Sequence, residues 1–192
     1  MYIETVIAGF GGQGILFLGR VLTTAGMIED YNVSWFPSYG PEMRGGTANC
    51  TVILSDQEIG STISDHPDIC VVMNEPALRR FAPLVRKGGL LVVNSSLIKQ
   101  NYADDRITIL DVPANEIAGS EVGDPRTLNM VTLGSLIGYT SVVSIDAVRQ
   151  ALEDILSGKH KELVDFNIKA IEAGRRYVSE RGGSYVSKRS NE

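Results

Sequence analysis

The stretch Ile3-Glu4-Thr5-Val6-Ile7-Ala8-Gly9-Phe10-Gly11-Gly12-Gln13-Gly14 decides the fold of this chain. Its first six residues form a short, mostly apolar run that ends at glycines, which is typical of a buried strand. After Gly14, apolar residues recur at helical spacing as far as about Met27 and predict one face of a helix. A strand, a glycine-rich turn and a helix in this order predict the beginning of a βαβ unit.

The rest of the chain alternates between strand-like and helical segments. Continuous apolar runs at Ile69–Met73 and Leu90–Asn94 are typical of strands that are covered on both faces. Further strands are predicted over Asn32–Phe36 with a stop at Pro37, over Ala48–Leu54 with Ile59–Ile63 as a hairpin partner, and over Ile107–Val112. Helices are predicted over Pro76–Val85, Leu128–Tyr139, Asp146–Leu156 with Ser144 as its cap, and Glu162–Glu180.

These elements predict an α/β fold class, a three-layer α/β/α arrangement with a mostly parallel, mixed, Rossmann-like sheet and C-terminal helices. We expect a single domain over residues 1–192, with the sheet core in 1–140, helices packed on it in 144–181 and a tail in 182–192. The segment Leu128–Tyr139 is apolar on nearly all sides, which fits either a core helix or an interface helix.

Composition excludes several classes of protein. The 18 basic and 23 acidic residues give a net charge of −5, and a nucleic-acid groove needs concentrated Lys and Arg, so we expect no nucleic-acid partner. We also expect no membrane partner, because no apolar run reaches the roughly 18 residues of a membrane helix and the N-terminus lacks the layout of a signal peptide. Cys50 and Cys70 are too few for an iron–sulfur cluster, and with His66 and His160 they show no metal-ligand spacing. We therefore expect no metal site, two buried cysteines and a reduced, cytoplasmic protein.

The glycine turn is the first candidate cofactor-binding segment. Its candidate residues are Gly9, Gly11, Gly12, Gln13 and Gly14. They fit G-x-G-x-x-G between a strand and a helix, where glycine allows positive φ and the helix N-terminus offers free N–H groups to an anion. A dinucleotide would also need an acidic residue at the end of the second strand, but Glu29 and Asp30 precede that strand. A phosphate-bearing ligand and a purely structural turn therefore both stay open.

A second glycine loop, Ser38–Thr47, follows the next predicted strand and should lie at the ligand-bearing edge of an open sheet. Its candidate cofactor-binding residues are Tyr39, Glu42, Arg44, Gly45 and Gly46. The Arg44 guanidinium suits a carboxylate or phosphate, or else Glu42 pairs with it in a structural clasp.

At these two loops the sequence resembles a known family. The segment GFGGQGI followed by SYGPEMRGGTANCTVILSD is similar to the gamma subunit of 2-oxoacid:ferredoxin oxidoreductases. Within that family, the two segments resemble the 2-oxoglutarate branch more than the pyruvate branch. The resemblance runs from about Ile3 to Gly138. Further matching segments are Asn74-Glu75, Lys87–Asn94, Val112-Pro113-Ala114 and Asn129–Gly134.

The resemblance implies a non-catalytic component of a larger enzyme, inactive in isolation. Such complexes convert a 2-oxoacid and coenzyme A to acyl-CoA, carbon dioxide and reduced ferredoxin. Thiamine diphosphate and iron–sulfur clusters are expected on the alpha, beta and delta subunits. Here Tyr39, Glu42 and Arg44 are expected to face the alpha subunit, and Gly9–Gly14 to accommodate a coenzyme A phosphate. A homodimer in isolation stays open, as do two other functions: a stand-alone nucleotide-dependent oxidoreductase, and a scaffolding or ligand-sensing module.

Overall fold

A mixed six-stranded sheet carries the fold in the computed structural model, which describes residues 1–39, 47–62, 64–156 and 161–181. The strands are β1 (Tyr2–Phe10), β2 (Asn32–Tyr39), β3 (Thr47–Ser55), β4 (Ile69–Val72), β5 (Leu90–Asn94) and β6 (Thr108–Val112). The helices are α1 (Ile15–Ile28), α2 (Glu75–Phe81), α3 (Ala114–Ile117), α4 (Leu128–Thr140), α5 (Ile145–Ile155) and α6 (Lys161–Glu180). These elements confirm the predicted fold class.

The strand order is β2-β3-β1-β4-β5-β6. Strands β1, β4, β5 and β6 are parallel, whereas β3 runs antiparallel to both of its neighbours, β1 and β2. Two consecutive antiparallel pairings restore the original direction, so β2 runs the same way as β1. The carboxyl ends of five strands therefore lie at one edge of the sheet.

The two faces of the sheet are covered unequally. Helices α1, α4, α5 and α6 share one large hydrophobic cluster with β1 residues such as Ile3 and Ile7. The opposite face, which we call the second face, has a smaller cluster in which α2 packs on Val6 and Val72. Because α2 contacts β1 and β4, the second face of β2 and β3 has no described helix over it.

Helix α4 is a core helix rather than an interface helix. It crosses α6 at very short range. A Cβ at Gly134 would overlap the carbonyl oxygen of Ile171, and one at Gly174 would overlap that of Val131. The Ser135 hydroxyl donates to the carbonyl oxygen of Gly174 at 3.2 Å. Glycine at these positions is what lets the two helix backbones touch.

Two strand predictions are wrong. The expected stop at Pro37 does not occur, because β2 continues to Tyr39. Strand β2 lies at the edge of the sheet, where a proline can turn its missing N–H away from the neighbouring strand. The expected hairpin partner Ile59–Ile63 contains no strand among residues 59–62, and Ile63 lies outside the described residues. Strand β3 instead pairs with β1 and β2 over its full length.

The predictions for the cysteines and the fifth helix are confirmed. Cys50 and Cys70 are both fully buried. The Ser144 hydroxyl accepts a hydrogen bond from the Ala147 N–H at 3.1 Å, which caps α5 at its first turn. In the described part of the chain, no helix combines the length and the apolar character needed to cross a membrane.

Candidate functional site

The two glycine loops begin at the same edge of the sheet. In the register of the strands, Gly9 on β1 and Tyr39 on β2 both pair with Ala48 on β3. Adjacent strands lie about 5 Å apart, so the backbones of Gly9 and Tyr39 are separated by roughly 10 Å. The edge position predicted for the second loop is therefore confirmed at the point where it leaves β2.

Three glycines of the turn meet distinct steric requirements. A Cβ at Gly9 would lie 2.9 Å from the Met73 Cβ and 2.6 Å from the Gln13 Oε1, so only glycine fits under the turn. Gly12 and Gly14 have positive φ values of 97° and 73°, which side chains rarely adopt. Apart from its own chain neighbours, no heavy atom of the described residues lies within 4 Å of the Cβ position of Gly12.

Gln13 uses its side chain inside the protein. Its Oε1 accepts a hydrogen bond from the Phe10 N–H at 2.6 Å, and its Nε2 donates to the Met73 carbonyl oxygen at 3.1 Å. The Asn74 Nδ2 makes a longer contact of 3.4 Å with the same Oε1. Gln13 therefore ties the turn to the end of β4, and both polar atoms of its side chain are engaged within the protein.

Two asparagines that were absent from the predicted site lie against the turn. Asn129 is 6% exposed, and its Nδ2 donates to the Gly14 carbonyl oxygen at 3.3 Å. Asn74 is 4% exposed, and its Oδ1 accepts from the Ala77 N–H at 2.8 Å. Their positions in the sequence are the signal that could have indicated them, because Asn74 follows a buried strand and Asn129 lies at the start of an apolar helix.

The electrostatics of the turn favour an anion. Helix α1 begins after Gly14, has no side-chain cap and has no acidic residue in its first turn. The first helical hydrogen bond of α1 runs from the Leu18 N–H to the Gly14 carbonyl oxygen, at 2.9 Å. The N–H groups of residues 15–17 therefore have no acceptor within the helix. The aligned peptide dipoles add positive potential at this point.

Several predicted site residues cannot be placed. Glu42, Arg44, Gly45 and Gly46 lie outside the described residues, and Tyr39 is located only as the last residue of β2. His66 is exposed, as expected of a solvated loop residue, and His160 lies outside the described residues.

The topology disfavours the dinucleotide interpretation. In a dinucleotide site the acidic residue that binds the ribose lies on the strand next to β1. Here β3 occupies that position in the opposite direction, and β2 is one strand further away. The Glu29 carboxylate is engaged elsewhere, where it accepts from the Ser144 N–H at 2.7 Å.

The cysteines do not fit an iron–sulfur cluster. Cys50 belongs to the large cluster on one face of the sheet and Cys70 to the smaller cluster on the other. Burial raises the pKa of both thiols to about 12, an effect that a hydrogen bond from Trp35 slightly opposes at Cys50. Within the described ranges no group of three or more His, Cys, Asp or Glu residues could hold a metal ion.

Comparison with known proteins identifies the family of the chain. A family model described as pyruvate ferredoxin/flavodoxin oxidoreductase matches residues 4–177. The ketoisovalerate oxidoreductase subunit VorA of Methanothermobacter thermautotrophicus is 37% identical over 180 residues, which are 93% of this chain but 37% of that protein. The 2-oxoglutarate synthase subunit KorC of Methanothermobacter marburgensis is 36% identical over 184 residues, which are 92% of this chain and 97% of that protein.

A solved structure shows the same relationship. The gamma subunit of a keto/oxoacid ferredoxin oxidoreductase from Geobacter sulfurreducens superposes with a TM-score of 0.79 at 27% identity, covering 93% of this chain and 99% of that one. The chain thus spans little more than a third of VorA but nearly all of KorC and of this gamma subunit. The resemblance of the two loops is confirmed, and the chain belongs to the pyruvate ferredoxin/flavodoxin oxidoreductase family.

Proposed function

We propose that the chain is the gamma subunit of a cytoplasmic 2-oxoacid:ferredoxin oxidoreductase. The observation that carries this proposal is the match of residues 4–177 to the family, and it is supported by the start of both glycine loops at one sheet edge, beside the N-terminus of α1. The two relatives described above, one a ketoisovalerate and the other a 2-oxoglutarate enzyme subunit, are nearly equally identical to this chain, and the sequence of the two loops favours 2-oxoglutarate. Alpha, beta and delta subunits are the proposed partners, with ferredoxin as the electron acceptor of the complex.

In this function the chain contributes binding and positioning. The described polar side chains around the turn are the amides of Gln13, Asn74 and Asn129, which neither donate protons to a reaction nor carry electrons. In the proposed complex, thiamine diphosphate and iron–sulfur clusters held by other subunits would supply the chemistry of oxidative decarboxylation and electron transfer. Coenzyme A supplies the thiol that accepts the acyl group.

The glycine turn is the proposed binding place for a coenzyme A phosphate. Among the described residues the backbone at Gly12 is open, and the N–H groups at the start of α1 suit a phosphate oxygen. Arg44, in the neighbouring loop, would add a planar cation that pairs with phosphate or carboxylate. Gly9–Gly14 and the Ser38–Thr47 loop are thus proposed to shape one cleft together with the alpha subunit.

An exposed aromatic patch offers the surface for that assembly. Phe36 on β2 is 52% exposed and Phe10 on β1 is 37% exposed. Phe36 pairs with Thr51, which pairs with Val6 on the second face, and Phe10 shares that face by strand alternation. The patch adjoins the strand ends from which both loops emerge, so a subunit bound at the loops would also cover it.

Kinetics of a reconstituted complex test the loops. Arg44→Ala is expected to raise the KM for coenzyme A or for the oxoacid at least 5-fold, or to weaken assembly, because a cation–anion pair is lost. Arg79→Ala is the matched control, since the side chain of Arg79 is exposed and, among the described residues, its ion pair is with Glu75 of the same helix. Unchanged kinetics in an intact complex would refute the role of the loop.

Co-purification tests the patch. Phe36→Ser should release the chain from its partner subunits while the isolated chain keeps its thermal stability, because the Phe36 ring is half exposed. Leu97→Ser is the control, since Leu97 is 45% exposed and lies in the loop after β5, away from β2. Equal recovery of the complex with both variants would exclude the patch as an interface.

A further inference from the structure

A second cleft lies on the second face of the sheet, over β5 and β6, and β4 separates these strands from β1 and the glycine turn. It has a volume of about 370 Å³ and is formed by residues of β5 and β6 and by the loop that follows β5. This volume is in the range of small-molecule sites in proteins. None of the described residues of the two glycine loops lines this cleft.

The floor of the cleft is aliphatic. Val93 on β5 and Ile98 in the following loop are each 4% exposed, and Ile109 on β6 is half-buried. All three belong to or pack against the smaller hydrophobic cluster. A ligand in this cleft would therefore gain affinity by placing an apolar group on the floor.

Two opposite charges line the same cleft without pairing with each other. The Lys99 Nζ donates to the Ser95 carbonyl oxygen at 3.0 Å, which leaves two of its three N–H donors for a ligand. The exposed Asp111 carboxylate has no ion-pair partner within 4.0 Å among the described residues, although the Asp111 backbone carbonyl accepts from Tyr177. The cleft thus presents a cation, an anion and an apolar floor.

We propose that this cleft binds a small zwitterion, an α-amino acid with an aliphatic side chain. The carboxylate of the amino acid pairs with Lys99, its ammonium pairs with Asp111, and its side chain packs on Val93, Ile98 and Ile109. The corresponding 2-oxoacid lacks the ammonium and leaves Asp111 unpaired, so the cleft distinguishes an amino acid from its oxoacid. For a ligand of this size, a Kd on the order of 1 mM is expected.

Titration of the purified full-length chain with L-leucine tests this proposal, with isothermal calorimetry and the methyl resonances of Val93, Ile98 and Ile109 as readouts. Leucine should bind saturably and shift these resonances. Both 4-methyl-2-oxopentanoate, which lacks the ammonium, and 3-methylbutylamine, which lacks the carboxylate, should bind at least about 10-fold more weakly. The measurement needs no partner subunit, so its outcome is independent of the proposed oxidoreductase function.

Charge-neutralising variants complete the test. Asp111→Asn and Lys99→Gln should each weaken leucine binding at least about 5-fold, and both side chains are exposed, so the chain should fold normally. The controls Asp105→Asn and Lys87→Gln remove one negative and one positive charge at exposed positions outside the cleft, and they should leave leucine binding unchanged. The proposal is overturned if leucine does not bind saturably, or if the oxoacid binds with the same affinity as leucine. It is also overturned if the control variants weaken leucine binding as much as Asp111→Asn and Lys99→Gln do. A further contrary outcome is that adenosine 3′,5′-bisphosphate, and not leucine, shifts the same resonances.

Discussion

Replacing Gln13 by alanine tests whether this side chain shapes the glycine turn. The substitution removes the hydrogen bonds to the Phe10 N–H at 2.6 Å and to the Met73 carbonyl oxygen at 3.1 Å. At about 1 kcal/mol for each bond, the free energy of unfolding should fall by about 2 kcal/mol. The contact from Asn74 is 3.4 Å long and adds little. In a chain of 192 residues, this loss lowers the Tm by about 4–8 °C.

Denaturant titration and thermal unfolding of the full-length chain measure the effect of Gln13→Ala. The control is Gln57→Ala, because Gln57 is exposed and its side chain makes no hydrogen bond in the described structure; its effect should stay within about 0.5 kcal/mol. A loss from Gln13→Ala no larger than that of the control would refute the reasoning. If stability were unchanged in this way while the KM for coenzyme A rose in the reconstituted complex, Gln13 would be a ligand rather than a positioning residue.

Other predictions concern packing, capping and thiol chemistry. Gly134→Ala should lower the free energy of unfolding by about 3 kcal/mol or more, because its Cβ overlaps backbone on α6, whereas Gly119→Ala, with open space at its Cβ, should change it little in the same denaturant titration. Ser144→Ala should cost about 1 kcal/mol through loss of the α5 cap, measured in the same way. Cys50 and Cys70 should resist Ellman's reagent at pH 8 until denaturant is added, because burial raises the pKa of both thiols to about 12, and rapid labelling of the folded chain would contradict this. Since the pKa is raised on folding, the thiols should support stability fully below pH about 8.5, and this contribution should decrease as pH rises toward 12.

The elements of the fold were predictable from local pattern, but their order in the sheet was not. Continuous apolar runs correctly indicated β4 and β5, which are fully buried. The pairing of β3 with β1 is non-local, so no pattern within Thr47–Ser55 could indicate it. The Ile59–Ile63 prediction failed because both edges of β3 were already occupied, one by the preceding strand β2 and the other by the distant strand β1.

The candidate site was predictable where backbone geometry demands a residue type. Gly12 and Gly14 have positive φ, and their spacing in the motif carries that requirement directly. The roles of Gln13 and Asn129 depend on tertiary contacts, because their side chains reach Met73 and Gly14 from distant parts of the chain. A sequence pattern indicates that a turn exists at this position, but the partners that hold the turn emerge only from the packed fold.

The uneven covering of the sheet determines how a partner subunit can bind to the β2 side of the molecule. An added strand would pair with the outer edge of β2, but Pro37 interrupts the N–H groups that such pairing needs. The second face has no described helix over β2 and β3, and it exposes Phe36 on β2 and Phe10 at the end of β1. On the other face, Trp35 approaches Gly19 of α1, which covers that side. A partner that binds here therefore gains most by packing on the second face, and from that position it also reaches the carboxyl edge where the two glycine loops begin.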